Sequence, residues 1–123
     1  VSLRNQLLFA TAQAELNQKA TRTLSLLAGI LKQIPNDVIV EGHTDDVPVV
    51  AGPYRTNWEL SVARASSVID LLTREGISPT RLIASGYGPY HPLSQASGPE
   101  ARARNRRVEV VILRTPRGSS DGE

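Results

Sequence analysis

An α+β fold with a mixed four-stranded sheet is predicted by three features of the sequence. Short β-branched or alternating runs recur at Leu3–Phe9, Val38–Val40, Leu82–Tyr87 and Val108–Leu113. Longer stretches between them carry apolar residues at helical spacing instead. A well-marked helix start also separates the second run from the third, so those two strands should be parallel neighbours joined by a right-handed crossover. The last strand returns over a short connection and is expected to be antiparallel, which makes the sheet mixed.

In order, Leu3, Leu7 and Phe9 alternate imperfectly with Arg4 and Gln6, a weak first strand, and Thr11–Leu16 read as a connector. From about Asn17, the residues Ala20, Leu24, Leu27, Leu31 and Ile34 form one stripe of a helix that Pro35-Asn36 ends. Val38-Ile39-Val40 is the expected central strand. Thr56-Asn57-Trp58-Glu59 fits a capping box, hydroxyl and carboxylate satisfying backbone donors reciprocally. In the helix that follows, Ser61, Ala65, Val68, Ile69 and Leu72 face the core, and Ser66, Asp70 and Arg74 face water. Arg64 falls on the border between the two sides, and Gly76 is the expected C-cap. Gly88–Pro99 is a Pro/Gly/Ser-rich loop, and Ser97-Gly98-Pro99-Glu100 offers a second capping box for a short helix ending at Arg104. Residues 1–114 are expected to form one domain, with 115–123 a frayed tail lacking core-forming residues.

The chain has 123 residues, 40% hydrophobic and 21% charged, which suits one soluble core and no second. No apolar run reaches a membrane span, and no signal peptide is visible. A chain that opens on Val1 and has no Met reads as a piece of something longer, with any anchor or export signal expected upstream. There is no Cys, hence no disulfide or thiolate site. Twelve of the fourteen bases are Arg, six of them between Arg102 and Arg117. Arg predominates where carboxylates or phosphates are recognised by a planar fork.

The stretch from Val38 to Arg64 runs strand, acidic turn, loop and helix, a common place for a ligand. The turn offers His43, Thr44, Asp45 and Asp46, and the helix returns Asn57 and Arg64. The topology brings Asn105-Arg106-Arg107 to the same rim. An acid and a guanidinium held together suit a ligand that carries both an amine and a carboxylate. The bland alternatives are a turn Asp capping local N–H groups and a snorkelling Arg paired with it. Arg106 and Arg107 alternate at a strand start, so at most one should face the site and the other is expected to be surface charge. Asn57 reads as a residue that orders the loop, and Trp58 as a core or loop anchor rather than a sugar-stacking platform.

GHTDD (42–46), NWELSVARA (57–65), ASGYG (84–88) and NRRVEV (105–110) resemble the OmpA-like C-terminal, peptidoglycan-binding domain family. The blocks are in the family's order and cover roughly Leu7 to Leu113. The Asn-Trp-Glu-Leu variant, the GHTDD-x-P turn and the upstream LLFATAQAEL (7–16) are most similar to the flagellar stator subunit MotB and its relatives. The resemblance implies helices on one face of the sheet and non-catalytic binding of the diaminopimelate of the peptidoglycan stem peptide. By position, Asp45 would meet the ligand's ammonium and Arg64 its carboxylate. Asn57, Leu60 and Thr44 would line the site, with Arg106 or Arg107 beside it. It further implies a periplasmic domain, a homodimer, and a MotA-like stator subunit as partner through a membrane segment outside this chain. The loop Ser94–Ala101 lacks a clear family motif. An outer-membrane protein or lipoprotein of the same family is the alternative.

Other chemistries find less support. His43, Asp45, Asp46 and His91 lack the tight spacing of a metal site, so neither a metal nor any other cofactor is expected. An Arg beside Asp45 would hold the carboxylate ionised, the wrong state for a general acid, which argues against an enzyme. The basic run Arg102–Arg107 has no flanking aromatic platform, which argues against nucleic acid.

Overall fold

The computed structural model describes residues 1–9, 14–49 and 52–114. In chain order these form strand β1 (Ser2–Arg4), a single helical turn α1 (Asn5–Leu8), helix α2 (Gln18–Leu31), strand β2 (Val38–His43) and helix α3 (Asn57–Arg74). A 3-10 turn at Pro79–Arg81 leads into β3 (Leu82–Gly88), followed by α4 (Pro99–Asn105) and β4 (Arg107–Ile112). The four-stranded sheet has the order β1-β4-β2-β3. β2 and β3 are parallel, and β4 is antiparallel to both β2 and β1. The mixed sheet and the crossover through α3 are therefore as the sequence implies.

The core lies between the sheet and α2 and α3. Ala20, Leu24, Ala28 and Leu31 of α2 meet Ala65, Val68 and Leu72 of α3 over Val38, Val40, Val108 and Val110 of the central strands. Burying each large aliphatic side chain contributes about 1.5–3 kcal/mol. Helix ends are set by local chemistry. The Asn17 side chain accepts from the Ala20 N–H at the start of α2. Gly76 ends α3 with its N–H on the Thr73 carbonyl and the Ile77 N–H on that of Leu72, while Ile77 is buried. That pairing is the Schellman arrangement.

Three expectations need correcting. The first strand ends at Arg4: its partner β4 begins at Arg107, the residue opposite, and one last backbone bond, from the Asn5 N–H to the Arg106 carbonyl at 3.0 Å, closes the pairing. The chain turns instead: the Phe9 N–H bonds to the Asn5 carbonyl, and Leu8 and Phe9 are both buried. At α4 the cap is Gly98, with no side-chain bond, and Pro99 supplies the first helical residue, so Ser97 forms no capping box. At α3 the Thr56 hydroxyl caps the Glu59 N–H, but the Glu59 carboxylate accepts from the Arg55 N–H and guanidinium rather than from Thr56. The expected tail, 115–123, and part of the 11–16 connector lie outside the described residues.

The position of α3 is fixed by two glycines paired across β2 and β3, Gly42 opposite Gly86. A Cβ on Gly42 would overlap the Ser61 carbonyl, and one on Gly86 would overlap the Val62 side chain and the Ser61 hydroxyl. Helix and sheet thus touch backbone to backbone where β2 and β3 end. By contrast, a Cβ on Gly29 in α2 would meet nothing within 4 Å. Gly42→Ala should destabilise the domain by about 1–3 kcal/mol or more through overpacking, and Gly29→Ala should stabilise it by about 0.5–1 kcal/mol. Urea denaturation of the three proteins checks both signs.

Candidate functional site

The sheet register delivers the rim. His43, the last residue of β2, sits opposite Arg107 on one side and Gly88 on the other. The turn after β2, the end of β3 and the residue before β4 therefore share one edge. The Thr44 N–H bonds to the Gly88 carbonyl (3.0 Å), and its hydroxyl donates to the Asp45 carbonyl (2.9 Å). Ser61 of α3 stitches the helix to the same edge: its hydroxyl accepts from the Gly88 N–H at 3.1 Å and donates to the Trp58 carbonyl at 2.9 Å.

Asp45 is the centre of this rim. One carboxylate oxygen accepts from the Arg106 guanidinium at 2.7 Å and the other from the Val47 N–H at 3.1 Å. Its side chain is only 12% exposed and that of Arg106 is 37% exposed, so the pair stands at the mouth of the site. The Asn57 amide donates to the carbonyls of Asp45 (3.4 Å) and Val47 (3.0 Å), ordering the turn as its place in the first helical turn suggests.

Arg64 is buried, not on the border of α3 as periodicity alone places it. Its guanidinium lies 5.1 Å from the centre of the buried Phe9 ring. Burial, and next the neighbouring Arg106 charge, push its pKa down to about 10 against the opposing pull of Asp45. It remains a cation at neutral pH. Leu60, one helical turn earlier, is buried beside it.

Arg106 and Arg107 part company, as strand alternation requires. Arg106 faces Asp45. Arg107 points to the other side of β4, where its guanidinium meets Glu109 (2.7 Å) and the carbonyls of Asn105 (3.2 Å) and His91 (3.1 Å). It is buried rather than surface charge, and it does not join Asp45. Next to it, His43 donates or accepts at Glu41 (3.1 Å) and stacks on Tyr87 at 4.9 Å.

Two residues of the rim have partners that the sequence does not show. Phe9, expected in a strand, is buried with its ring against the Arg64 guanidinium. Asn105 holds the 89–97 loop by a reciprocal pair of bonds with Ser94, at 2.9 and 3.1 Å. Its position in the Asn-Arg-Arg block is visible in the sequence, but its partner, Ser94, eleven residues back along the chain, is not. Between that loop and the turn lies a polar groove of about 150 Å³, lined by Thr44, Asp45, Asp46, Pro92, Ser94 and Arg102 among others. Trp58 is not a core anchor: it is 48% exposed and its ring lies 5.1 Å from that of Tyr90.

Residues 8–106 match the OmpA family model. The chain is 41% identical over 119 residues to the uncharacterized protein YtxE of Bacillus subtilis, covering 96% of this chain and 49% of that protein. It superposes on the periplasmic domain of Helicobacter pylori MotB with a TM-score of 0.83 at 31% identity, covering 89% of this chain and 78% of that one. It also superposes on the cell wall anchor of the T6SS from Pseudomonas aeruginosa, with a TM-score of 0.84 at 36% identity, over 91% of this chain and 78% of that one. The chain spans about half the length of the curated relatives it matches first.

His43 gives the rim a testable pH dependence. Burial holds its pKa below the ordinary 6.5, with Arg107 acting in the same direction, and this outweighs the hydrogen bond to Glu41 that favours the cation. Its Nδ1 is buried without a hydrogen-bond partner among the described residues, so a second ring N–H would have no acceptor there. Above pH 6.5 the ring is neutral folded and unfolded alike. As pH falls through 6.5, the unfolded chain takes up a proton that the folded ring resists, so stability drops. Urea midpoints at pH 7.5 and 5.5 should fall for the wild type and fall less for His43→Gln.

Proposed function

This chain belongs to the OmpA family, and we propose that it is a non-catalytic domain that binds peptidoglycan through the diaminopimelate of the stem peptide. The observation that carries this reading is the largely buried Asp45 carboxylate, with the half-open Arg106 on it at the mouth of the site and the buried Arg64 cation within electrostatic reach of both. Such a pairing is complementary to a group bearing both an ammonium and a carboxylate. The ligand's ammonium replaces Arg106 on Asp45, and its carboxylate is met by Arg64, with Arg106 swinging to the same anion. Thr44 and Asn57 hold the turn at its working distance, and Leu60 gives the site an apolar wall. Arg107, turned toward Glu109, supports the rim from behind.

Two charge-assisted contacts contribute about 1.5–3 kcal/mol each, against an association cost of about 4 kcal/mol or more. One stem peptide is therefore held weakly, on the order of micromolar to millimolar. Firm attachment comes from several domains on one polymer, which favours a homodimer. With domain limits at residues 1–114, the chain serves as the periplasmic, wall-binding part of a flagellar stator protein. A MotA-like subunit is engaged by a membrane segment outside this sequence. Among the described residues no helix is long and apolar enough to cross a membrane. The likeness to the T6SS cell wall anchor supports a second reading, an anchor of another envelope machine. The segment that precedes the domain in the whole protein separates the two.

Co-sedimentation with diaminopimelate-type sacculi tests the site. Asp45→Asn and Arg64→Ala, each folded by circular dichroism, should weaken pelleting about tenfold or more, the loss of one charge-assisted contact. Equal pelleting of all three proteins would remove this site from the account.

A further inference from the structure

The chain has one Trp, three Tyr and one Phe. Two of these rings stand together on the outside, Trp58 at 48% and Tyr90 at 63% exposure. Their centroids are 5.1 Å apart with planes inclined at 31°. Exposed aromatic surface forgoes the burial that normally repays such side chains. Nothing in the core requires the pair to be there, since the cluster of buried residues does not include either ring.

The pair is built rather than incidental. Trp58 is fixed in the first turn of α3, whose cap is the Thr56 hydroxyl. Tyr90 is returned toward it by the turn in which the Tyr90 N–H reaches the Tyr87 carbonyl at 3.4 Å. Gly88, at φ +58°, makes that turn possible, and a Cβ there would stand 3.5 Å from both rings. The same Gly88 binds Ser61 through its N–H and Thr44 through its carbonyl. Trp58 also adjoins Asn57, whose amide holds the Asp45 carbonyl. The rings are thus tied through single residues to both sides of the Asp45 turn.

We propose that Trp58 and Tyr90 form a stacking platform for an N-acetylated aminosugar of the glycan strand, beside the stem-peptide clamp. The proposal rests on the reading of that clamp. A pyranose ring presents a flat face of C–H groups that packs on an aromatic plane while its hydroxyls stay in water, which suits half-exposed rings. The stem peptide is covalently attached to such a sugar, and a few extended residues at about 3.3–3.6 Å each separate the clamped side chain from it. In this proposal a sugar on the platform and a diaminopimelate at Asp45 are parts of one ligand.

Three soluble probes test this: the free L-Ala-γ-D-Glu-diaminopimelate tripeptide, the same tripeptide on its GlcNAc–MurNAc disaccharide, and peptide-free chitotetraose. Affinities are measured by calorimetry, and Trp58, the only Trp, reports sugar contact by its fluorescence. The disaccharide should tighten binding of the tripeptide about 3–10-fold, the scale of one aromatic contact, with a shift in Trp emission. Trp58→Ala and Tyr90→Ala should each bring that ratio toward one, and Trp58→Phe should restore part of it. Equal affinity of the two peptide ligands, or a ratio untouched by both alanine variants, overturns the platform and leaves the clamp standing. Chitotetraose binding with a Trp shift, in a protein that ignores the tripeptide, supports the platform and sinks the clamp. Failure of all three probes overturns both.

Discussion

The close approach of α3 to the ends of β2 and β3 is the constraint on which the rest of the rim depends. It is possible because Gly42 and Gly86 face each other across the strands and offer no side chains to keep the helix away. Ser61 then bonds directly to the backbone of Gly88. The same helix carries the buried Arg64, sets Asn57 against the Asp45 carbonyl and holds Trp58 beside Tyr90. Interior packing this dense does not deform gradually. A change of one methyl at either glycine therefore acts on the site through the helix, with no contact to the ligand.

The electrostatics follow from that seat. A cation buried on the ring of Phe9 and a second cation paired with Asp45 at the mouth place two positive charges near one carboxylate. Arg64 pays for its desolvation in a lowered pKa, yet stays charged. In the proposed binding mode an incoming carboxylate relieves the repulsion between Arg64 and Arg106, and an incoming ammonium takes over Asp45.

Much of this was legible in the sequence, and the exceptions share a cause. Periodicity placed both long helices and the central strands, because burial there follows one period along one element. Local capping at Thr56 and the turn at Gly76 were readable for the same reason. Arg64 was assigned to a border because helical period says nothing of how near the helix sits to its sheet; the signal was in Gly42 and Gly86, on other elements. Phe9 was given to a strand because alternation cannot show where a partner strand runs out. The exposure of Trp58 depends on Tyr90, thirty-odd residues onward and brought back by Gly88. Pairings between elements are set by topology, and a single sequence records them only indirectly.

The central claim is that the rim reads an ammonium and a carboxylate on one side chain. Calorimetry with two stem tripeptides that differ only in the third residue, diaminopimelate or lysine, asks this most directly. Lysine keeps the ammonium and lacks the second carboxylate. The account predicts that the diaminopimelate form binds about tenfold tighter or more, the worth of one charge-assisted contact, and that Arg64→Ala erases the difference. Equal affinity for the two peptides in the wild type would contradict it.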